Sequence, residues 1–174
     1  IYMITIIGKD RPGIIAAVTK VLSQAKCNLE DITMTLLEDE FSMMLLACIP
    51  AMKFARVKSA LERKCKDWKL AIHCNPIRRE LKRGEKRVKG SKKYVASAIG
   101  RDRAGIVHEV SKFMMSRKLN ITDLNSRILG QGKSALYALV LEFDLPASKK
   151  ESDLRRGFNR LENQLKIDIS LSAL

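Results

Sequence analysis

The chain has 174 residues and carries 33 Lys and Arg against 19 Asp and Glu, a formal net charge of +14. No apolar run approaches the roughly 18 residues needed to cross a bilayer. The four cysteines and two histidines lack the paired spacing of a zinc site, and their free thiols point to a reducing compartment, expected to be the cytoplasm. The chain opens on Ile1 rather than Met, so no targeting role is read from its start.

Tyr2–Ile7 is a short, apolar, β-rich run ending at Gly8 and predicts a buried strand. Asp10 and Pro12 supply helix-start chemistry, a carboxylate able to cap free amides and a ring that presets φ. Ile14, Ile15, Val18, Val21, Leu22 and Ala25 then recur at helical spacing until Cys27-Asn28. Leu29–Leu37 and Phe41–Ile49 predict two strands joined as a hairpin through Glu38-Asp39-Glu40. Beyond Pro50, the residues Phe54, Val57, Ala60, Leu61 and Cys65 mark a second amphipathic helix, and Leu70–Cys74 a last strand.

The same order recurs downstream. Strand Tyr94–Ile99, helix Ala104–Lys118, strands Ile121–Leu129 and Ser134–Phe143, helix Ser148–Gln164 and strand Ile167–Leu171 are predicted. Gly8 matches Gly100, Asp10 Asp102, Arg11 Arg103, Gly13 Gly105, Val18 Val110, Asn28 Asn120 and Asp31 Asp123, each 92 positions on. The correspondence reads as ungapped from Tyr2–Cys48 onto Tyr94–Val140, an internal duplication. The expected fold is α+β, two tandem ferredoxin-like β-α-β-β-α-β layers, with domains at 1–77 and 94–174. Between them, residues 78–93 carry 9 basic and 2 acidic residues, half of the net charge, and read as a solvated linker.

The loops G-K-D-R-P-G (8–13) and G-R-D-R-A-G (100–105) are the candidate chemistry. Glycines permit close approach, a helix start offers unpaired amides to a carboxylate, and Asp10 or Asp102 could accept from an ammonium group. Such a loop could hold both ends of a free amino acid. The same residues also serve a plain turn and cap. Arg11 has two readings as well: a planar fork for a ligand carboxylate, or an exposed residue of the first helical turn.

The D-R-P-G-I-I loop, the helix after it, C-N-L-E-D-I and the E-F-S-M-M-L strand resemble an ACT domain. The tandem arrangement resembles, more narrowly, the glycine cleavage system transcriptional repressors and their tandem-ACT relatives. The resemblance implies a non-catalytic regulator that binds a small amino acid at ACT domain interfaces, with glycine the first candidate. It implies a partner that is a transcriptional activator or an enzyme, and no cofactor or metal. By motif matching, the ligand contacts carry over to Asp10, Arg11, Pro12, Gly13, Ile14, Asn28 and Asp31. In the second copy the set is Asp102, Arg103, Ala104, Gly105, Ile106, Asn120 and Asp123. Asn28 and Asn120, just after the first helix of each copy, are expected near the loop. The second copy departs at Ala104 for Pro12, Thr122 for Glu30 and His108 for Ala16, so the first is expected to keep the more typical site.

Enzyme motifs are missing. Gly8-x4-Gly13 has phosphate-loop spacing but Ile14 where Lys belongs, and Gly132-Lys133-Ser134 has Arg127 in place of the first glycine. The rival is an RNA-binding protein, since RNA-recognition motifs share this element order and the chain is basic. Base stacking needs aromatics on the central strands, and F-S-M-M-L-L-A-C-I supplies almost none. Sequence-specific nucleic-acid binding and a membrane partner are not expected. Open sheet edges on so small a core predict a homodimer.

Overall fold

The computed structural model describes residues 1–78 and 90–174. The chain forms two compact units, Ile1–Leu81 and Lys82–Leu174. The first contains β1 (Tyr2–Lys9), α1 (Ile14–Gln24), β2 (Asn28–Leu37), β3 (Glu40–Cys48), α2 (Ala51–Asp67) and β4 (Ala71–Pro76). The second repeats them as β5 (Ser91–Arg101), α3 (Ile106–Ser116), β6 (Ile121–Leu129), β7 (Leu136–Pro146), α4 (Glu151–Leu165) and β8 (Ile167–Ala173). Each sheet is antiparallel, in the orders β2-β3-β1-β4 and β6-β7-β5-β8. The chain is therefore α+β, with two tandem ferredoxin-like domains.

Strand alternation and helix periodicity build each core. In the first unit Ile4, Ile6, Met43, Leu45 and Ala47 turn to the helices, while Thr5, Ile7, Ser42 and Met44 lie on the open face. Ile14, Val18 and Leu22 of α1 and Val57, Leu61 and Cys65 of α2 meet them, each set four residues apart. Tyr2 stacks on Phe54 at a centroid distance of 3.9 Å, closing the end of this core. In the second unit Ile106, Val110 and Met114 face Leu154, Phe158, Leu161 and Leu165 over β5 and β7.

Three expectations need correction. Strand β5 begins at Ser91, three residues before Tyr94, inside the stretch read as linker. For residues 79–89 the linker expectation lies outside the described residues. The helices start later than Asp10-Pro12 and Ala104 suggest, at Ile14 and Ile106.

The third correction concerns the duplication, which is not ungapped. Ile32 pairs with Leu45 and Leu124 with Leu141, so β2 and β6 differ by 92 positions but β3 and β7 by 96. Ala47 corresponds to Phe143 rather than to Leu139, since Leu29 and Ile121 are their respective partners. Two residues, Glu38 and Asp39, connect β2 to β3, whereas Gly130–Ala135, with a 3-10 turn at Gly132–Ser134, connect β6 to β7. An insertion of even length preserves the in–out alternation of a strand, so the apolar pattern matches in both registers and hides the gap. Within β2 and β6 the duplication is faithful: a bulge falls at Glu30 in one and at Thr122 in the other.

Candidate functional site at the start of the first helix

Both candidate loops are pinned by backbone geometry rather than by side-chain caps. Gly13 and Gly105 precede the helices at φ 100° and 99°, a left-handed conformation that favours glycine. Neither helix start has a side-chain cap bond, so the capping role expected of Asp10 is not realised. The Asp10 amide instead donates to the Asp39 carbonyl at 2.8 Å, and the Asp102 amide to the Ala135 carbonyl at 3.1 Å. These bonds tie each loop to the neighbouring β-turn and leave the carboxylates of Asp10 and Asp102 exposed. In the first unit Lys9 Nζ adds an ion pair to Asp39 at 2.7 Å. That bond holds the Asp39 carboxyl below its ordinary range and the Lys9 ammonium above its own.

Gly8 and Gly100 answer to a different constraint. A β-carbon at Gly8 would stand 2.7 Å from Leu70 Cδ2, and one at Gly100 2.4 Å from Ile167 Cγ2, so the loop's first glycine lets the last strand approach. The arginines reach back to the end of the second helix. The Arg11 guanidinium lies over the Trp68 ring, 5.2 Å from its centroid, and Arg103 Nη2 donates to the Leu165 carbonyl. Neither arginine lies in the first helical turn, since α1 and α3 start at Ile14 and Ile106, and each has a definite partner within its own unit. Trp68 and Leu165 were not legible as neighbours of the loop, although Trp68 is the single tryptophan of the chain.

In the first unit the loop lines a cleft of about 530 Å³ bounded by Asp10–Ala16, Met34 and Phe41. Asp10, Arg11, Pro12 and Gly13 are exposed at its rim, while the Ile14 side chain turns into the core. Met34 supplies an exposed apolar wall, and sequence alone did not single it out. The second-unit positions Asp102, Arg103, Ala104 and Gly105 are likewise exposed, with Ile106 buried. There the strand positions matching Met34 and Phe41 are Ser126 and Tyr137, by the registers above, and exposed His108 sits 4.0 Å from Glu109.

The structure does not bring Asn28, Asp31, Asn120 or Asp123 to the loop of their own unit. Asn28 pairs with Cys48, level with the start of β1, whereas the loop follows Lys9, which pairs with Glu40 at the other end of the sheet. The expectation that Asn28 and Asn120 complete the loop site within one unit is therefore corrected. A helix returns the chain to the opposite end of the sheet before the next parallel strand begins. Asn28 and Asn120 instead edge matching shallow hollows of about 410 and 450 Å³ at the C-terminal ends of α1 and α3. Asp31 and Asp123 follow the bulges on the exposed edge strands. Asn28 Nδ2 donates to Glu30 Oε1 at 2.9 Å, and Asn125 Nδ2 to Asp123 Oδ2 at 2.8 Å. Among the described residues no group of three or more His, Cys, Asp or Glu is placed to hold a metal ion.

A family model for the ACT domain matches residues 1–75. A UPF0237 protein of Methanococcus maripaludis is 44% identical over 63 residues, spanning 35% of this chain and 70% of that protein. One from Clostridium acetobutylicum is 38% identical over 72 residues, 40% of this chain and 81% of that protein. The chain belongs to the ACT-domain family. Its tandem ACT architecture has full-length counterparts among solved structures. A protein of unknown function from Galdieria sulphuraria superposes with a TM-score of 0.83 at 21% identity, over 99% of this chain and 97% of that one. A protein provisionally named glycine cleavage system transcriptional repressor superposes with a TM-score of 0.72 at 18% identity, covering 99% and 96%. The ACT domain is a small-ligand regulatory fold, and the cleft after β1 of the first unit combines a polar rim with an apolar wall.

Proposed function

We propose that this ACT protein is a non-catalytic regulator that binds a small amino acid at the β1–α1 cleft and changes its affinity for a protein partner. One observation carries the reading: the cleft sets the exposed Asp10 carboxylate beside the open first turn of α1, with Met34 as an apolar wall. First-turn amides suit a carboxylate, and Asp10 suits an ammonium group, so the two ends of an amino acid have complementary partners. The apolar wall leaves room for a small side chain, and glycine is the first ligand to try. Asn28 lies about 30 Å and Asp31 about 20 Å along β2 from its loop end at strand rise. If they contribute to a site they do so from another molecule, which favours a homodimer. Ligand that binds one assembled arrangement better shifts the population toward it, and linkage passes that shift to the partner, a transcriptional regulator or an enzyme.

The RNA-binding alternative draws no support from the open sheet faces. Tyr2, Phe41, Tyr94 and Phe143 all turn to the helices, and the central strands offer Thr5, Ile7, Met44, Ile99 and Val140 instead of stacking aromatics. No helix among the described residues is long and apolar enough to cross a membrane. Four free thiols support a reducing compartment, the cytoplasm.

Titration calorimetry with the twenty amino acids tests the proposal. Millimolar or tighter binding of one of them, lost in Asp10→Ala and in Gly13→Val with the fold intact by circular dichroism, is the expected result. Absence of binding by all twenty, with salt-sensitive RNA binding instead, overturns it.

A further inference from the structure

The two units treat the groove between their helices differently. In the second unit Phe113 of α3 lies directly on Gly157 of α4, where even a β-carbon would stand 2.3 Å from the ring. Phe113 also packs on Phe158 at 5.0 Å, and Arg117 covers its outer side, 5.5 Å from the ring centroid. The ring fills the middle of the groove and leaves a smaller hollow of about 310 Å³ toward the start of α4, lined by Arg117, Lys150, Asp153 and Leu154. The first turn of α4 carries Glu151 and Asp153, the sign of charge that a helix N-terminus favours, and both are paired, with Arg155 and Arg156.

In the first unit the matching positions are Val21 and Ala60, and the ring is missing. The residue steps are 92 for α1 and 97 for the second helix, the latter set by the left-handed Lys69 and Lys166 that end α2 and α4. Val21, Val57 and Ala60 floor an open groove of about 520 Å³. Its rim holds Lys26, Lys53, Arg56 and Arg63 and no acidic residue. Arg56 stands where the second unit has Asp153, and the first turn of α2 has no acidic residue at all. Lys53 donates to the Ala25 carbonyl at 3.0 Å, which gives that residue a local role. Among the described residues the ion pairs of this unit are Lys9–Asp39 and Lys58–Glu62, and none of them engages Lys26, Arg56 or Arg63. Lys53 stands in the first turn of α2, where the helix dipole disfavours a cation, and Arg56 and Arg63 add like charge along the same rim.

We infer that the α1–α2 groove of the first unit is a docking site for an acidic, amphipathic helical segment of a partner protein. An apolar floor between cationic rims matches a helix whose one face is aliphatic and whose flanks carry Asp or Glu. Phosphate polymers would meet the rim, but the floor gives them nothing to stack on, since Phe54 is engaged with Tyr2 and Trp68 with Arg11. This surface is separate from the β1–α1 cleft, and the inference stands whether or not an amino acid binds there.

The test uses the whole chain and three fluorescein-labelled probes: a 16-residue helical peptide with a Leu stripe flanked by Glu, the same composition scrambled, and a 16-nucleotide poly-U. Fluorescence anisotropy at physiological salt should favour the amphipathic peptide at least tenfold over the scrambled one. Arg56→Glu with Arg63→Glu should weaken it at least tenfold. Val21→Phe with Ala60→Gly, which transfers the ring-on-glycine contact of the second unit onto the groove floor, should block binding while retaining the circular dichroism spectrum and a cooperative melt. If that pair does not fold, Ala60→Leu occludes the same floor and must give the same loss. Equal binding of the scrambled peptide, binding that survives groove filling, or preferential binding of poly-U lost in the same arginine variants overturns the inference.

Discussion

Gly100 and Ile167 approach so closely that a β-carbon on the glycine would lie 2.8 Å from the Ile167 Cβ and 3.1 Å from its Cα. Neither atom can swing away as the end of a long side chain could. Gly100→Ala should therefore destabilise the second unit by about 2–3 kcal/mol, the scale of overpacking against a fixed backbone. Gly105, by contrast, has open space where a β-carbon would go and only its φ of 99° to defend. Gly105→Ala should cost about 1–2 kcal/mol, the penalty of a left-handed backbone. Urea melts of both variants decide the order, and a larger loss at Gly105 would contradict the geometry.

Arg11 and Arg103 occupy the same place in the duplicated motif but are held differently, and their variants should separate accordingly. Arg103 donates to a half-buried carbonyl at the end of α4, an interaction worth about 1.5–3 kcal/mol for a charged donor. Arg11 rests on the face of Trp68 at an exposed site, worth about 0.5–1 kcal/mol. Arg103→Ala is expected to lower stability more than Arg11→Ala in chemical denaturation. If both arginines are anchors of the loop, Arg11→Ala should also leave the affinity for the amino acid within about threefold. A loss as large as that of Asp10→Ala would make Arg11 a ligand contact instead.

Element order and core were legible because they rest on short-range periodicity. Ile14, Val18 and Leu22, or Ile4 and Ile6, declare their face within a few residues. Gly13 and Gly105 were legible as special positions, though as left-handed residues before the helix and not as part of a carboxylate cap. What the sequence hid depends on distance across the fold. Phe113 on Gly157 and Arg11 on Trp68 join residues more than forty positions apart, with no local pattern to announce them. The even insertion between β6 and β7 was hidden for the opposite reason, because the local pattern fits both registers. Asn28 was misplaced because proximity in the chain suggested proximity to the loop, while α1, about 16 Å long at helical rise, separates them.

Tyr94 and Glu151 link the start of the second unit's core to the first turn of α4, with the phenol donating to Glu151 Oε2 at 2.5 Å. That bond, helped by Arg155, holds the Glu151 carboxyl below its ordinary value of 4.5. A carboxyl depressed by folding contributes stability that is present above the unfolded value and lost as pH falls through the folded one. Tyr94→Phe should therefore melt lower than the parent at pH 7, and the gap should narrow as pH drops below about 4.5. A gap independent of pH would assign the effect of the variant to packing alone.

Cys65 gives the clearest alkaline signature. It is buried in the first core at 1% exposure, and loss of hydration pushes its thiol up from 9.0 to about 11, with Cys74 adding a smaller charge effect. The unfolded chain releases this proton near pH 9 while the folded chain keeps it, so in that window the unfolded state binds fewer protons. Stability must then fall as pH rises, by on the order of 2 kcal/mol between about pH 9 and 11. Other groups titrate in the same range, so the quantity to read is the difference between the parent and Cys65→Ala, whose melts should converge as pH rises through that window. The same burial makes Cys65 the last thiol to react with an aromatic disulfide at pH 8, since attack requires the thiolate and access to it. Half-buried Cys27 and Cys48 should be labelled in the native protein, and Cys65 only once denaturant is added, as peptide mapping by mass spectrometry will show. Prompt labelling of Cys65 without denaturant would mean that the first core opens far more readily than its packing implies.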